Sequence, residues 1–195
     1  MQAAIFASGE GSNAINLIRH FDDSKTLRIS LVFCNNPDAP VIEKARELNR
    51  KVQIINRETL SAKSHLILEF LKVEKISLLI LAGFLLKIPT TFINAFPNRI
   101  VNLHPSLLPK YGGKGMYGLQ VHRAVIAGNE KVSGITIHMV NEEYDQGKIL
   151  TQIPCTVHPD DSPEQLSTRV RELEHFYLPR TIEDLIAKAK NQAGF

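Results

Sequence analysis

The run Ala3-Ala4-Ile5-Phe6-Ala7-Ser8-Gly9-Glu10-Gly11-Ser12-Asn13 decides the fold. Five consecutive apolar residues stop at a serine and two glycines. A strand that is apolar on every residue, rather than every second one, is buried on both faces. Glycines let the chain turn sharply after it, and residues 13–20 then show helical periodicity. A helix that starts right after a glycine turn offers unpaired N–H groups and a positive dipole end, both suited to a phosphate.

The same alternation continues down the chain. Strands are expected over residues 27–34, 52–55, 76–81 and 99–103, and helices over 41–49 and 64–73, with Pro89 opening a short helix at its first position. Apolar strands separated by helices imply a parallel sheet covered on both faces. Right-handed crossovers make that a Rossmann-like, doubly wound α/β fold. After a glycine-rich loop at 110–118, a helix over 119–128 ends at glycine. Two later strands over 132–140 and 149–157 suit an antiparallel pair. Ser162-Pro-Glu-Gln165 is a capping box that opens a long C-terminal helix running to about Lys190. No linker interrupts the pattern, so a single domain over 1–195 is expected.

Chemistry concentrates at Arg99-Ile-Val-Asn102-Leu-His104-Pro105-Ser-Leu-Leu-Pro109-Lys110. Strand residues alternate faces, so Asn102 and His104 point the same way, roughly 7 Å apart at about 3.3 Å per residue. Pro105 cannot continue the ladder, which puts the pair at the carboxyl end of the strand. A carboxamide donor beside an imidazole can hold an oxyanion and move a proton. The plainer alternative for His104 is a histidine that satisfies local carbonyls. Asp145 lies in the turn Tyr144-Asp145-Gln146-Gly147, where Asp is favoured for local reasons as well. A carboxylate near His104 would favour the imidazolium and fix its orientation. His138 reads as a packed strand residue; His20, His65, His122 and His158 read as surface or helix-face residues.

Composition narrows the class. The 195 residues are 44% hydrophobic and 22% charged, with a net charge of +3 and no long basic run. That is ordinary for a soluble globular chain and too mild to argue for nucleic acid. Cys34 and Cys155 make no metal or redox spacing, and two thiols fit a reducing cytoplasm. The start lacks a signal-peptide pattern, and residues 76–84 are too short an apolar run to span a bilayer. No histidine pair has metalloprotease spacing, so no metal is expected. Ser106 lacks the nucleophile elbow of a serine hydrolase.

Residues 9–14 also match the dinucleotide fingerprint Gly-x-Gly-x-x-Ala, a weak signal alone. That fingerprint expects an acid at the end of the second strand, where Cys34-Asn35-Asn36-Pro37 stands instead. A phosphomonoester held by Gly11, Ser12 and Asn13 fits better. The alternative is a strand-to-helix turn with Ser12 or Asn13 as a side-chain cap.

Gly9-x-Gly-Ser-Asn13, Leu81-Ala-Gly-Phe84, Asn102-x-His104-Pro-Ser-Leu-Leu-Pro-Lys110 and Asp145-x-Gly147 follow one another in a single order. Together they resemble the phosphoribosylglycinamide formyltransferases, folate-dependent enzymes of purine synthesis, over nearly the whole chain. The resemblance implies transfer of a formyl group from 10-formyltetrahydrofolate, as co-substrate, to the amine of glycinamide ribonucleotide. It implies a catalytic trio of Asn102, His104 and Asp145. It assigns the ribonucleotide phosphate to Gly11, Ser12 and Asn13, and the ribose hydroxyls to Glu174. Folate is assigned to Arg57, Leu85, Leu86, Lys87, Ile88 and Asn102. Residues 1–100 are then the phosphate-binding part, and 81–160 the catalytic and folate-binding part. The expected protein is a cytoplasmic monomer or weak homodimer whose partners are these small molecules, not nucleic acid or membrane.

The chain departs from the family pattern at residues 110–118, a longer loop whose glycines suggest a lid. Leu86 stands where a basic residue is frequent, and Lys148 where proline is usual. Three rival families share parts of this pattern. Methionyl-transfer-RNA formyltransferases carry a further C-terminal domain. Formyltetrahydrofolate hydrolases carry an N-terminal regulatory domain and lack the Gly-Ser-Asn loop. A dinucleotide sensor on the same fold has no use for the Asn102/His104 pair.

Overall fold

The computed structural model describes residues 1–191. They form two compact units, Met1–Asn102 with Met139–Lys148, and Leu103–His138 with the residues from Ile149 onward.

The first unit is built on β1 (Gln2–Ala7), β2 (Arg28–Cys34), β3 (Lys51–Ile54), β4 (Ile76–Leu81) and β5 (Ile100–His104), whose last two residues pass into the second unit. The spatial order is β3-β2-β1-β4-β5, parallel throughout. Helices α1 (Ser12–His20), α2 (Val41–Glu47), α3 (Arg57–Ala62), α4 (Ser64–Val73) and α5 (Thr90–Ala95) connect them. Residues 3–7 of β1 are all buried, as an apolar strand covered on both faces must be. Phe6 stacks on Phe33 at 4.6 Å between centroids and meets Phe92 edge-on. Truncating such a fully buried ring costs about 3–5 kcal/mol.

The second unit holds α6 (Leu119–Ala127), the antiparallel pair β6 (Val132–Met139, its last residue belonging to the first unit) and β7 (Ile149–Thr156), and α7 (Pro163–Asn191). Here α6 packs on α7, and α7 on β7. The expected capping box opens α7: Ser162 N donates to Gln165 Oε1 at 2.7 Å, and Gln165 N to Ser162 Oγ at 3.2 Å.

The mostly parallel α/β class, the late antiparallel strands and the long C-terminal helix match the sequence reading. Three details differ. Helix α3 was not expected; it is capped by Asn56 and Thr59, which bond reciprocally. Pro89 is the cap of α5 rather than its first residue. Helix α2 stops at Glu47, because the chain turns into the left-handed region at Asn49.

Candidate functional site

The strand order of the first unit reverses direction between β1 and β4. In open α/β sheets, ligands bind outside the carboxyl ends of the strands at that switch point. The segments leaving β1 and β4 there are residues 8–13 and 82–88.

From β1, Gly11 caps α1 with φ 70, and Ser12 and Asn13 are the first helical residues. Side-chain capping by Ser12 or Asn13 is therefore not what forms the turn. A Cβ on Gly11 would overlap Val41 of α2, so only glycine lets the loop close there. The N–H groups of the first turn of α1 have no carbonyl within the helix to bond.

From β4, the backbone is tied to the same loop through one hydroxyl. Buried Ser8 Oγ accepts from Leu85 N at 2.9 Å and donates to Asn35 Oδ1 at 2.5 Å, while Ser8 N donates to Gly83 O at 3.0 Å. Asn35, standing where a dinucleotide fold carries its ribose-binding acid, is thus used as an internal brace. Leu85 is 47% exposed on this held backbone, Leu86 is half-buried against the core, and Ile88 is buried. Lys87 Nζ lies 5.2 Å from the centroid of the Tyr144 ring. Arg57 is exposed at the start of α3.

Asn102 leaves β5 beside Leu81 of β4. Its Nδ2 donates to Asp145 Oδ1 at 3.3 Å. Asp145 comes from the segment Met139–Lys148, closed by Met139 N donating to Lys148 O at 2.8 Å and seated on β5 by Val140 N donating to Ile100 O at 2.9 Å. Gly147 packs so closely on the Met139 carbonyl that a Cβ there would overlap it. Asp145 itself sits at φ 54, a left-handed position that Asp tolerates better than most residues. The carboxylate is thus delivered to the carboxamide by a closed loop, 43 residues away in sequence.

In the second unit, His104 is buried, with Nε2 2.8 Å from Tyr111 O. A carbonyl can only accept, so Nε2 carries a proton. Strand alternation puts Asn102 and His104 on one face of β5. Glu174 is half-buried on α7, and His138 is buried on β6.

Of the two readings for His122, surface or helix face, the structure gives the second: it is 3% exposed on α6, with Nδ1 lacking a hydrogen-bond partner among the described residues. Burial, then the charges of Arg171 and His104, push its imidazole down to about 4. Sequence reasoning missed Ser8, Asn35, Tyr111 and Glu130. The serine at the strand end was the one visible signal among them.

Among the described residues, no cluster of His, Cys, Asp or Glu could hold a metal ion, and no helix is long and apolar enough to cross a membrane. The formyl transferase family model matches residues 1–182. The chain is 39% identical over 177 residues to the chloroplastic phosphoribosylglycinamide formyltransferase of Arabidopsis thaliana, covering 88% of this chain and 61% of that protein. It thus spans about three fifths of that relative's length. It is 33% identical over 187 residues to the phosphoribosylglycinamide formyltransferase of Bacillus subtilis, covering 94% of this chain and 93% of that one. The crystal structure of the Bacillus halodurans phosphoribosylglycinamide formyltransferase superposes with a TM-score of 0.88 at 33% identity, covering 98% of both chains.

Proposed function

The chain belongs to the formyl transferase family, and from that premise we propose that it transfers a formyl group from 10-formyltetrahydrofolate to the amine of glycinamide ribonucleotide in purine synthesis. The observation that carries this reading is the Asn102–Asp145 hydrogen bond at the end of β5, two residues before buried His104. It supplies an oriented amide donor at the carboxyl end of β5, beside the end of β4, which flanks the switch point.

In this reading the amine nitrogen attacks the formyl carbon. The new N–C bond forms, the carbonyl oxygen becomes an oxyanion, and the bond to the folate N10 then breaks. Asn102, held through one Nδ2 hydrogen by Asp145, donates the other to the oxyanion. Protonated His104 is the second donor. Asp145 supports the positive charge and helps the attacking amine's proton reach the leaving nitrogen. Removing one oxyanion donor costs about 3–4 kcal/mol, or about 10² to 10³ in rate.

Gly11, Ser12 and Asn13 take the ribonucleotide phosphate at the first turn of α1, where N–H groups and the dipole favour an anion. Glu174 takes the ribose hydroxyls. Leu85, Leu86, Lys87 and Ile88 line the folate site, with Arg57 near its carboxylates. The exposed Leu85 side chain on a braced backbone suits a flat ring system. The same reading makes the protein a cytoplasmic enzyme, monomeric or weakly dimeric, with these small molecules as partners.

The test is a direct formyl-transfer assay with glycinamide ribonucleotide and 10-formyltetrahydrofolate, following the formylated ribonucleotide. Stoichiometric product is expected. No product with competent folate and fresh amine would overturn the assignment.

A further inference from the structure

Tyr111 stands out because it is a non-glycine residue at φ 56 in the residue run between β5 and α6. That conformation costs about 1–2 kcal/mol for an L-residue with a Cβ. It persists only where the surroundings over-determine it. What it achieves is a carbonyl aimed at the ring of His104: Tyr111 O accepts from His104 Nε2 at 2.8 Å.

The surroundings that hold Tyr111 come from the turn between α6 and β6. Its hydroxyl donates to Glu130 Oε1 at 3.1 Å. The neighbouring Lys110 Nζ donates to the same oxygen at 2.8 Å. Gly128, which caps α6, leaves just the space the phenol needs; a Cβ there would overlap the Tyr111 hydroxyl. On the other side, Ser106 Oγ donates to Lys110 O at 2.7 Å, and Ser106 O accepts from buried Thr136 Oγ1 at 2.7 Å. Both peptide units around Tyr111 are therefore anchored.

We propose that Tyr111 and Glu130 are positioning residues for the catalytic imidazole: Glu130 clamps the Tyr111 phenol, and the clamped Tyr111 carbonyl locks His104 with its proton on Nε2. The proposal rests on the reading of His104 as catalytic and extends it. With Nε2 held as a donor, proton exchange in the ring is confined to Nδ1. The carbonyl also bonds the charged ring more strongly than the neutral one, so the clamp favours the imidazolium that oxyanion binding requires. The ionisation of the clamp agrees. Hydrogen bonds from Lys110 and Tyr111 hold the Glu130 carboxyl below its ordinary value. Loss of solvent, then the hydrogen bond to Glu130, push the Tyr111 phenol up. At neutral pH the phenol donates and the carboxylate accepts. From α6, His122 interacts through charge with His104 and with Arg171 of α7.

Tyr111→Phe deletes only the clamped hydroxyl; Glu130→Gln keeps the volume and removes the charge. Expected for Tyr111→Phe is a fall in kcat of about tenfold with KM for both substrates near wild type. The alkaline limb of the kcat profile should move toward acid by about half a pH unit to one. Glu130→Gln should do the same more weakly, and the double variant should be no worse than the worse single one. Gly128→Ala, at a φ of −77 that alanine accepts, displaces the phenol without removing it and should reproduce the shift.

Imidazole nitrogen NMR of His104 supplies an arm independent of catalysis. The wild-type ring should show its proton on Nε2, and the variants a mixture of tautomers. An unchanged limb together with an unchanged tautomer in folded Tyr111→Phe and Gly128→Ala overturns the clamp. If instead His104→Ala keeps full turnover while the tautomer still responds, the catalytic reading of His104 fails and the clamp stands. Should Tyr111→Phe not fold, Gly128→Ala and Glu130→Gln decide the question.

Discussion

The two glycine-bearing loops, residues 8–13 and 110–118, look alike in composition and are built for opposite reasons. In the first, Gly11 is required by a neighbour: Val41 occupies the space a Cβ would take. In the second, Gly113, Gly115 and Gly118 all have positive φ, yet nothing lies within 4 Å of where their Cβ atoms would go. One loop is a packed cradle fixed by its surroundings. The other is shaped by backbone conformation, with its root, not its tip, tied down through Tyr111 and Glu130. Glycine content alone therefore says nothing about whether a loop is rigid.

The comparison breaks most sharply at Gly11. Gly11→Ala adds left-handed strain and an overlap with the rigid Cβ region of Val41, and should cost about 2–4 kcal/mol of stability. Denaturant unfolding measures it; an unchanged midpoint means the close approach does not exist. Helix α6, which follows the second loop, is instead vulnerable to acid, through His122. Its imidazole stays neutral in the folded protein down to about 4, whereas it protonates near 6.5 when unfolded. Between those values the unfolded chain binds a proton the folded chain refuses, so stability falls as pH drops from about 6.5 to 4 and then levels. The loss is about 2–3 kcal/mol. His122→Leu should flatten that part of the stability–pH curve, and an equally steep curve in the variant would clear His122 of responsibility.

Smaller effects sharpen the contrast. Ser8→Ala strands the Leu85 amide and the Asn35 carboxamide, costing about 1–3 kcal/mol and raising KM for the folate more than for the ribonucleotide. Equal changes in both would show that Ser8 does not brace the folate segment selectively. Gly113→Ala meets open space and keeps only the conformational penalty, about 1 kcal/mol. A loss as large as that of Gly11→Ala would erase the distinction between the loops.

What the sequence made legible follows the same physical line. Strands β1 and β4 were plain because nearly continuous apolar runs have one economical place, between two helical layers. The six-residue helix α3 was hidden, since Arg57-Glu-Thr-Leu-Ser-Ala62 buries one side chain, Leu60, and leaves almost no periodicity to read. The sequence left His122 between the surface and a helix face, because polarity does not tell which face of a helix is covered; it shares the buried face of α6 with Val121 and Val125. Asn102 and His104 were visible as a strand-end pair, two residues apart. The bond from Asn102 to Asp145 was not, because it depends on a closed loop and a left-handed aspartate. Nothing in the letters around Tyr111 marks its carbonyl as the partner of His104. That contact arises only once the chain has taken a conformation most tyrosines avoid.

The most direct test of the central claim is the single-turnover rate of formyl transfer in His104→Ala, with ribonucleotide affinity measured separately. The expected rate is lower by at least about 10² with ribonucleotide affinity close to wild type. A near-wild-type rate would contradict it.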